Sequence, residues 1–142
     1  MKVIIIGGVA GGATAAARLR RLDEKASITI YEKSGFISYA NCGLPYYIGG
    51  EIEDEGELTL QTPQSFKARF NVQVNVNCRV TAIDTAAKTV TVEQLKTGKV
   101  FTDSYDKLII STGAHPALFG IGGADTRGVF TLGTVEDTLG IK

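Results

Sequence analysis

Six residues near the amino terminus, Gly7-Gly8-Val9-Ala10-Gly11-Gly12, constrain the fold of this chain more than any other segment. They follow a run of β-branched residues, Val3 to Ile6, that is not interrupted by polar residues. Such a run predicts a strand buried on both faces of a parallel sheet. Ala13 to Leu22 is rich in alanine and ends in arginines, which favours a helix. Ser27 to Tyr31 predicts a second strand, so the first 32 residues predict a β-turn-α-β unit with a right-handed crossover.

The glycine spacing between this strand and helix is typical of a dinucleotide-binding loop. In the G-x-G-x-x-G pattern the first glycine permits a tight turn, the second admits a pyrophosphate, and the third lets helix and strand pack closely. Gly7 and Gly12 occupy the first and third positions, whereas Val9 departs from the second and Gly11 offers another point of close approach. Glu32 follows at the position where a carboxylate accepts hydrogen bonds from ribose hydroxyls. The alternative is a purely structural turn with a solvated glutamate, but the surrounding strand, helix and carboxylate favour nucleotide binding.

The rest of the chain predicts a small antiparallel meander inserted between parallel strands. Thr62-Pro63 is typical of a helix start, with threonine as the N-cap and proline at the first helical position. Gly35 to Gly50 is predicted to be loop and short helix, and Gly120 to Ala124 a connector rather than a second nucleotide loop. Further strands are predicted at residues 72–76, 80–83, 89–93, 100–103 and 107–111, and the start of a helix at 134–142.

Composition excludes several classes of protein. The 142 residues are enough for one domain with a hydrophobic core. The 15 basic and 15 acidic residues cancel, which argues against nucleic acid or a membrane surface as partner. Two cysteines and one histidine are too few for a disulfide scaffold or a structural metal site. No apolar stretch has the length of a membrane span, so we expect a cytoplasmic protein with reduced thiols.

The segment Ser38 to Gly50, with the sequence SYANCGLPYYIGG, resembles the redox-active region of a known family. That family is the single-cysteine group of FAD-dependent pyridine nucleotide–disulfide oxidoreductases, and the segment is most similar to the coenzyme A disulfide reductases and their persulfide-reducing relatives. The resemblance extends in order along the chain. It includes Gly7–Gly12, Arg18–Asp23, Tyr31–Lys33, Thr62-Pro63, Ser104–Leu108, Ser111–Ala114 and Gly128–Leu132.

The resemblance implies FAD as the cofactor and gives roles to individual residues. Cys42 matches the redox-active cysteine that lies beside the flavin ring. The positions that match cofactor contacts are Gly7, Gly8, Val9, Ala10, Gly11, Gly12, Glu32, Lys33, Val80, Thr112, Gly113 and Ala114. The positions that match contacts with the substrate, coenzyme A or another small thiol or disulfide, are Thr14, Arg18, Arg21, Ser38 and Asn41. The guanidinium groups of Arg18 and Arg21 suit the phosphates of coenzyme A. Arg20 is expected only to complement the helix dipole at the C-terminal end of the helix.

The implied chemistry depends on a thiolate at Cys42. A cysteine attacks disulfides only as thiolate and exchanges through a mixed disulfide. Taken without the resemblance, a cysteine in such a loop is more typical of an inert buried residue. The resemblance favours reactivity at Cys42, whereas Cys78, in a strand-like stretch, is expected to be structural.

Two departures from the family pattern bear on the reaction. Relatives that reduce peroxide or oxygen carry a histidine in the glycine loop, and this sequence has Ala10 there; His115, its only histidine, matches no catalytic position. This favours thiol or disulfide chemistry. A lysine that helps to hold coenzyme A in some relatives is replaced by Phe70, and Arg69 is adjacent. Coenzyme A therefore remains an expectation rather than a requirement.

The resemblance also implies an organisation for the whole protein. Residues 1–142 would form a Rossmann-like α/β FAD-binding domain with a parallel central sheet and a β-meander insertion, incomplete at its C-terminal end. A nicotinamide-binding domain for NADH or NADPH, a later segment that completes the FAD domain and a homodimerisation domain would lie outside it. The chain alone is therefore expected to show no turnover and to retain FAD weakly or not at all. The alternatives are a relative of NADH oxidases and peroxidases, a nucleotide-binding or redox-sensing module without turnover, and a structural fragment that self-associates.

Overall fold

A computed structural model describes all residues from 1 to 142 and contains seven strands and four α-helices. The strands are β1 (Lys2–Ile6), β2 (Ser27–Tyr31), β3 (Gln73–Asn75), β4 (Cys78–Asp84), β5 (Thr89–Gln94), β6 (Lys99–Ser104) and β7 (Lys107–Ile110). The helices are α1 (Ala10–Leu22), α2 (Leu44–Gly49), α3 (Pro63–Phe70) and α4 (Val135–Ile141). Two short 3-10 helices cover Asn41–Gly43 and Glu55–Leu58. None of the helices is long and apolar enough to cross a membrane.

The predicted parallel sheet is confirmed, with strand order β3-β2-β1-β7. Ile4 in the central strand β1 pairs with Thr29 of β2 on one side and with Leu108 of β7 on the other. Because β1 has a neighbour on both sides and layers on both faces, residues Val3 to Ile6 are buried, as their unbroken apolar pattern predicts.

Helix α1 packs against one face of this sheet through small side chains. Ala13, Ala16 and Ala17 are buried and belong to the same core cluster as the isoleucines of β1 and β2. Small side chains let helix and sheet approach closely, and the remaining volume of the cluster is filled by larger residues from elsewhere. The cluster consists of Val3, Ile5, Ala13, Ala16, Ala17, Ala26, Ile28, Ile30, Ile37, Phe66, Val72 and Val74.

The predicted start of α1 is wrong by three residues. The helix begins at Ala10 rather than Ala13, so Gly11 and Gly12 lie in its first turn and the connecting turn is only Gly7 to Val9. Low helix propensity of glycine led to the later prediction. Tertiary packing overrides this propensity, because the first turn of α1 approaches the end of the sheet so closely that a side chain at position 12 would not fit.

The predicted meander is also confirmed. Strands β4, β5 and β6 form a separate antiparallel sheet in chain order, with a register irregularity between Val80 and Ala82. Val90 and Val92 of β5 are fully buried and share a core cluster with Ile4 and Tyr31. The meander therefore covers the face of the parallel sheet opposite α1.

A polar cluster joins the meander to the parallel sheet. Asp103 of β6 accepts hydrogen bonds from the Lys2 ammonium, with which it forms an ion pair, and from the Tyr31 hydroxyl at 2.8 Å. Burial by itself would raise the pKa of Asp103, but the bonds from Lys2 and Tyr31 and the charge of Lys2 together lower it. Burial and the bond to Asp103 raise the pKa of Tyr31. The carboxylate form of Asp103 is therefore the one that links the two sheets.

We expect Asp103→Asn to lower the free energy of unfolding by about 1–3 kcal/mol at neutral pH, because the charged hydrogen bonds are lost. Since the folded state lowers the pKa of Asp103, its contribution is complete above the unfolded value of about 3.9 and disappears as pH falls through the lower folded value. Urea unfolding of both proteins between pH 7 and pH 2 would measure this difference. Equal stability of the two proteins at pH 7 would contradict the prediction.

Candidate functional site

Three strands of the parallel sheet end at one groove. The carboxyl ends of β1, β2 and β7 are followed by Gly7, Glu32 and Ser111, and the carboxyl edge of such a sheet is where ligands bind in open α/β folds. The groove has a volume of about 570 Å³. Its walls come from the glycine loop, from the segments after β2 and β7, from Tyr39 and Asn41, and from the residues that lead into α4.

The first and third glycines of the loop are required by packing. Gly7 has φ +99°, a conformation that side chains disfavour, and a Cβ there would lie 2.1 Å from the Ser111 carbonyl oxygen. A Cβ on Gly12 would lie 1.8 Å from the carbonyl oxygen of Gly7. Gly11 approaches the Ser111 side chain, to which a Cβ would come within 2.6 Å. The loop thus brings the start of α1 against the end of β1, and Val9, Ala10 and Gly11 line the groove.

The start of α1 differs from the starts of α3 and α4. Thr62 and Thr134 each take part in a capping box that satisfies backbone N–H groups of α3 and α4, respectively. At α1 the N-cap is Val9, which has no side-chain acceptor, and the first turn contains no acidic residue. Backbone N–H groups and the positive end of the helix dipole are therefore available at the groove, which fits a diphosphate.

Glu32 is buried, with 6% of its surface exposed, and its carboxylate holds two loops together. Its Oε2 accepts the Gly8 N–H at 2.7 Å and its Oε1 accepts the Ser34 N–H at 2.9 Å. Each carboxylate oxygen can accept more than one hydrogen bond, so capacity remains for the hydroxyls of a ligand. The sequence predicted an acceptor for a ribose; the structure adds that Glu32 also fixes the glycine loop.

The remaining predicted cofactor residues lie around Glu32. Thr112, Gly113 and Ala114 form one wall of the groove. Val80 lines an adjoining cavity of about 140 Å³ together with Gly7, Glu32, Lys33 and Thr112. The structure therefore brings together residues that are widely separated in the sequence, and the adjoining cavity has an apolar wall suited to a base.

Cys42 is exposed and lies in the middle of the 3-10 helix Asn41–Gly43. Asn41 next to it lines the groove and donates a hydrogen bond from Nδ2 to the Gly133 carbonyl oxygen at 3.3 Å. Cys42 follows Asn41 in the chain but does not itself line the groove. Cys78 is the opposite case: it is buried, and burial raises the pKa of its thiol.

The predicted substrate residues lie on the exposed face of α1 and in the loop after β2. Thr14, Arg18 and Arg21 are exposed, and Ser38 is half-buried with φ +49°. Arg18 and Arg21 belong to neither ion pair of the chain, which join Lys2 to Asp103 and Arg79 to Glu93. Arg21 shares an open depression of about 600 Å³ with residues of α3, whereas Thr14, Arg18 and Ser38 do not line it.

Arg20 has a structural role, and the sequence did not reveal its partners. Its guanidinium donates hydrogen bonds to the carbonyl oxygens of Asp23, Glu24, Phe70 and Asn71, at 2.7 to 3.2 Å. It therefore joins the C-terminal ends of α1 and α3. Arg69 stacks on Phe70, with its Cζ 5.2 Å from the ring centroid, and lines the same depression as Arg21.

Sequence reasoning missed several residues of the groove. Tyr39, His115, Thr134 and Asp137 all line it. Tyr39 lies in the Ser38–Gly50 segment and Thr134 at the predicted helix start, but neither pattern assigned them to the groove, because long-range packing brings them there. Burial, followed by the charges of nearby carboxylates including Glu32, raises the pKa of Tyr39 to about 12. Its phenol is therefore protonated at neutral pH and can donate a hydrogen bond.

Comparison with known proteins defines the class. The family described as "Pyridine nucleotide-disulphide oxidoreductase" matches residues 1–142, so the chain belongs to this oxidoreductase family. It is 44% identical over 137 residues to the coenzyme A disulfide reductase of Staphylococcus haemolyticus, covering 96% of this chain and 30% of that protein. The chain thus spans about a third of the length of the curated relatives it matches.

Solved structures agree with the family and the fold. Reduced Bacillus anthracis CoADR-RHD superposes with a TM-score of 0.95 at 44% identity, covering 99% of this chain and 25% of that one. An NAD-dependent persulfide reductase from A. fulgidus superposes with a TM-score of 0.92 at 38% identity, covering 99% of this chain and 27% of that one. The water-forming NADH oxidase from Lactobacillus brevis superposes with a TM-score of 0.90 at 32% identity, covering 99% of this chain and 31% of that one. The α/β fold with a parallel sheet and a separate meander is therefore the Rossmann-like fold expected from the sequence.

We expect iodoacetamide to label Cys42 well before Cys78 in the folded protein, because only Cys42 is exposed and burial holds Cys78 in its thiol form. Mass spectrometry of tryptic peptides from a time course would measure the order. Cys42→Ser should remove the fast phase, and Cys78→Ser should leave it unchanged. Fast labelling that persists in Cys42→Ser would contradict the assignment.

Proposed function

We propose that this chain is the FAD-binding portion of an NAD(P)H-dependent disulfide reductase that acts on coenzyme A disulfide or persulfide through Cys42. The observation that carries the proposal is the groove: an uncapped helix start, a buried carboxylate and the turn that bears Cys42 meet at one edge of one sheet. The similarity to a coenzyme A disulfide reductase and a persulfide reductase supports the substrate class.

The residues of the groove fit FAD in parts. The free N–H groups at the start of α1 would hold its diphosphate. Glu32 would accept hydrogen bonds from the adenosine ribose, with Lys33 on the adenosine side and Val80 in the adjoining cavity beside the adenine. Thr112, Gly113 and Ala114 would cover the opposite side. When bound, FAD would supply the two-electron chemistry that returns the Cys42 mixed disulfide to the thiol.

Cys42 would perform the exchange step. Its thiolate attacks one sulfur of the disulfide R–S–S–R, the S–S bond breaks, and the leaving thiolate R–S⁻ takes up a proton from solvent. The product is a mixed disulfide between Cys42 and the R–S group whose sulfur was attacked. Asn41, fixed to Gly133, holds the turn on which Cys42 lies. Arg18 and Arg21 on α1 are free of ion pairs and would meet the phosphates of coenzyme A, with Thr14 and Ser38 as neutral contacts.

An NADH oxidase is the second candidate, because the L. brevis enzyme has the same fold at 32% identity. Reduction of oxygen or peroxide benefits from a proton donor beside the reacting sulfur. Ala10 lies at the groove and supplies only a methyl group. The disulfide reaction is therefore the one we favour.

The wider context forms part of the same proposal. The whole protein would add a nicotinamide-binding domain for NADH or NADPH and a dimerisation domain, and residues 1–142 alone would show no turnover. Both cysteines are free, which suits a reducing compartment such as the cytoplasm.

The FAD site can be tested with Ala10→Glu. A carboxylate in the first turn of α1 complements the helix dipole and preserves folding, but it repels a diphosphate at the same place. We expect at least a tenfold loss of FAD affinity, measured by quenching of flavin fluorescence, at an unchanged melting temperature. Ala86→Glu, in an exposed turn of the meander, is the matched control and should bind as the parent does. Equal affinity of all three proteins would refute the placement of the diphosphate.

The role of Cys42 can be tested without turnover. On incubation with coenzyme A disulfide, intact-mass measurement should show one added coenzyme A, released by dithiothreitol and absent in Cys42→Ser. Arg21→Ala should slow formation of the adduct with coenzyme A disulfide but not with cystamine, because cystamine carries no phosphate. An adduct that persists in Cys42→Ser, or equal slowing with both disulfides, would argue against these roles.

A further inference from the structure

Glu136, on the last helix of the chain, contacts the loop that follows β2. Its Oε1 accepts the Ser34 hydroxyl at 2.7 Å and the Gly35 N–H at 3.0 Å, although Ser34 and Glu136 are 102 residues apart. Two donors on one carboxylate oxygen fix both the hydroxyl and the backbone of the loop. The proposed function above gives Glu136 no role.

Ser34 connects this contact to the glycine loop. Its N–H donates to Glu32, and Glu32 accepts the Gly8 N–H through its other oxygen. The Ser34 hydroxyl also accepts the Phe36 N–H at 2.9 Å. A continuous series of hydrogen bonds therefore runs from Gly8 through Glu32 and Ser34 to Glu136. Glu32 is held from the sheet side by Gly8 and from the α4 side by Ser34.

The first turn of α4, which carries Glu136, is held in place by packing and by its capping box. Val135, which precedes Glu136, and Thr138, two residues after it, are fully buried. Val135 packs in a cluster with Tyr39, Leu44 and other residues. The capping box of Thr134 and Asp137 fixes the first turn of α4. Because the helix is held independently, the exposed Glu136 side chain can transmit that position to Ser34.

We propose that Glu136 is a positioning residue for the nucleotide site. By holding Ser34 and Gly35, it fixes the orientation in which the Glu32 carboxylate presents its remaining acceptor capacity to the groove. The affinity for a ligand with vicinal hydroxyls, such as the ribose of a nucleotide, is then set in part from α4. Naming that ligand as FAD rests on the proposed function; the effect of Glu136 on Ser34 and Glu32 does not.

The experiment compares Glu136→Ala, Glu136→Gln and Glu53→Ala with the parent chain. Glu53→Ala is the matched control, an exposed acid outside this series of hydrogen bonds. Without ligand, hydrogen exchange should be faster at the Gly8, Ser34 and Gly35 amides of Glu136→Ala, with exchange at Ile5 of β1 unchanged. With FAD, affinity should fall about tenfold in Glu136→Ala, the scale of a charged hydrogen bond.

The conservative variant separates positioning from charge. In Glu136→Gln the amide oxygen can still accept both bonds, so exchange and FAD affinity should stay within about threefold of the parent. Parent-like exchange at Gly8 and Ser34 in Glu136→Ala, or faster exchange that includes Ile5, would overturn the proposal. The exchange measurements need no ligand and decide the role of Glu136 by themselves, so a failure of FAD binding bears only on the proposed function and not on this inference.

Discussion

The close approach of Gly12 to the Gly7 carbonyl is the contact on which the rest of the site depends. It lets α1 start directly against the carboxyl end of β1. The first turn of the helix, whose N–H groups have no side-chain cap, therefore lines the groove. The alanines of α1 continue the same close packing along the sheet. A side chain at either glycine would separate helix and strand, and the arrangement proposed to hold a diphosphate would be lost with the packing.

The groove is assembled from segments that lie far apart in the chain. Glu32 joins the loop after β2 to the glycine loop, and α4 closes the other side while its buried residue Val135 packs beside the turn that carries Cys42. If Glu32 also accepts a ligand hydroxyl, as we propose, the order of the two loops and binding are coupled through one carboxylate. The same arrangement leaves Cys42 exposed beside Asn41, which lines the groove.

Local sequence patterns predicted the strands and helices, whereas the exact start of α1 and the contacts of Glu136 depend on long-range packing. The unbroken run Val3 to Ile6 identified a central strand because burial on both faces leaves no polar alternation, and Thr62 was identified as an N-cap because its neighbours complete the motif. The predicted start of α1 at Ala13 is wrong, because helix propensity reflects only the local sequence. The carbonyl groups of Ser111 and Gly7, which leave no room for side chains at Gly7 and Gly12, are long-range or tertiary features. Glu136 carries no local signal, because its contact with Ser34 depends on how α4 docks.

The position of the meander has a consequence for the order of folding. β1 pairs with β7, and the Lys2 backbone N–H bonds Asp106, 104 positions away, so this pairing closes a very long loop. The three meander strands lie between the two partners in the chain, and their strand pairing involves only nearest neighbours in sequence, which favours early formation. By forming first, they shorten the effective loop that β7 must close. On this order the edge strand β7 would be completed last, and with it the wall of the groove that contains Thr112.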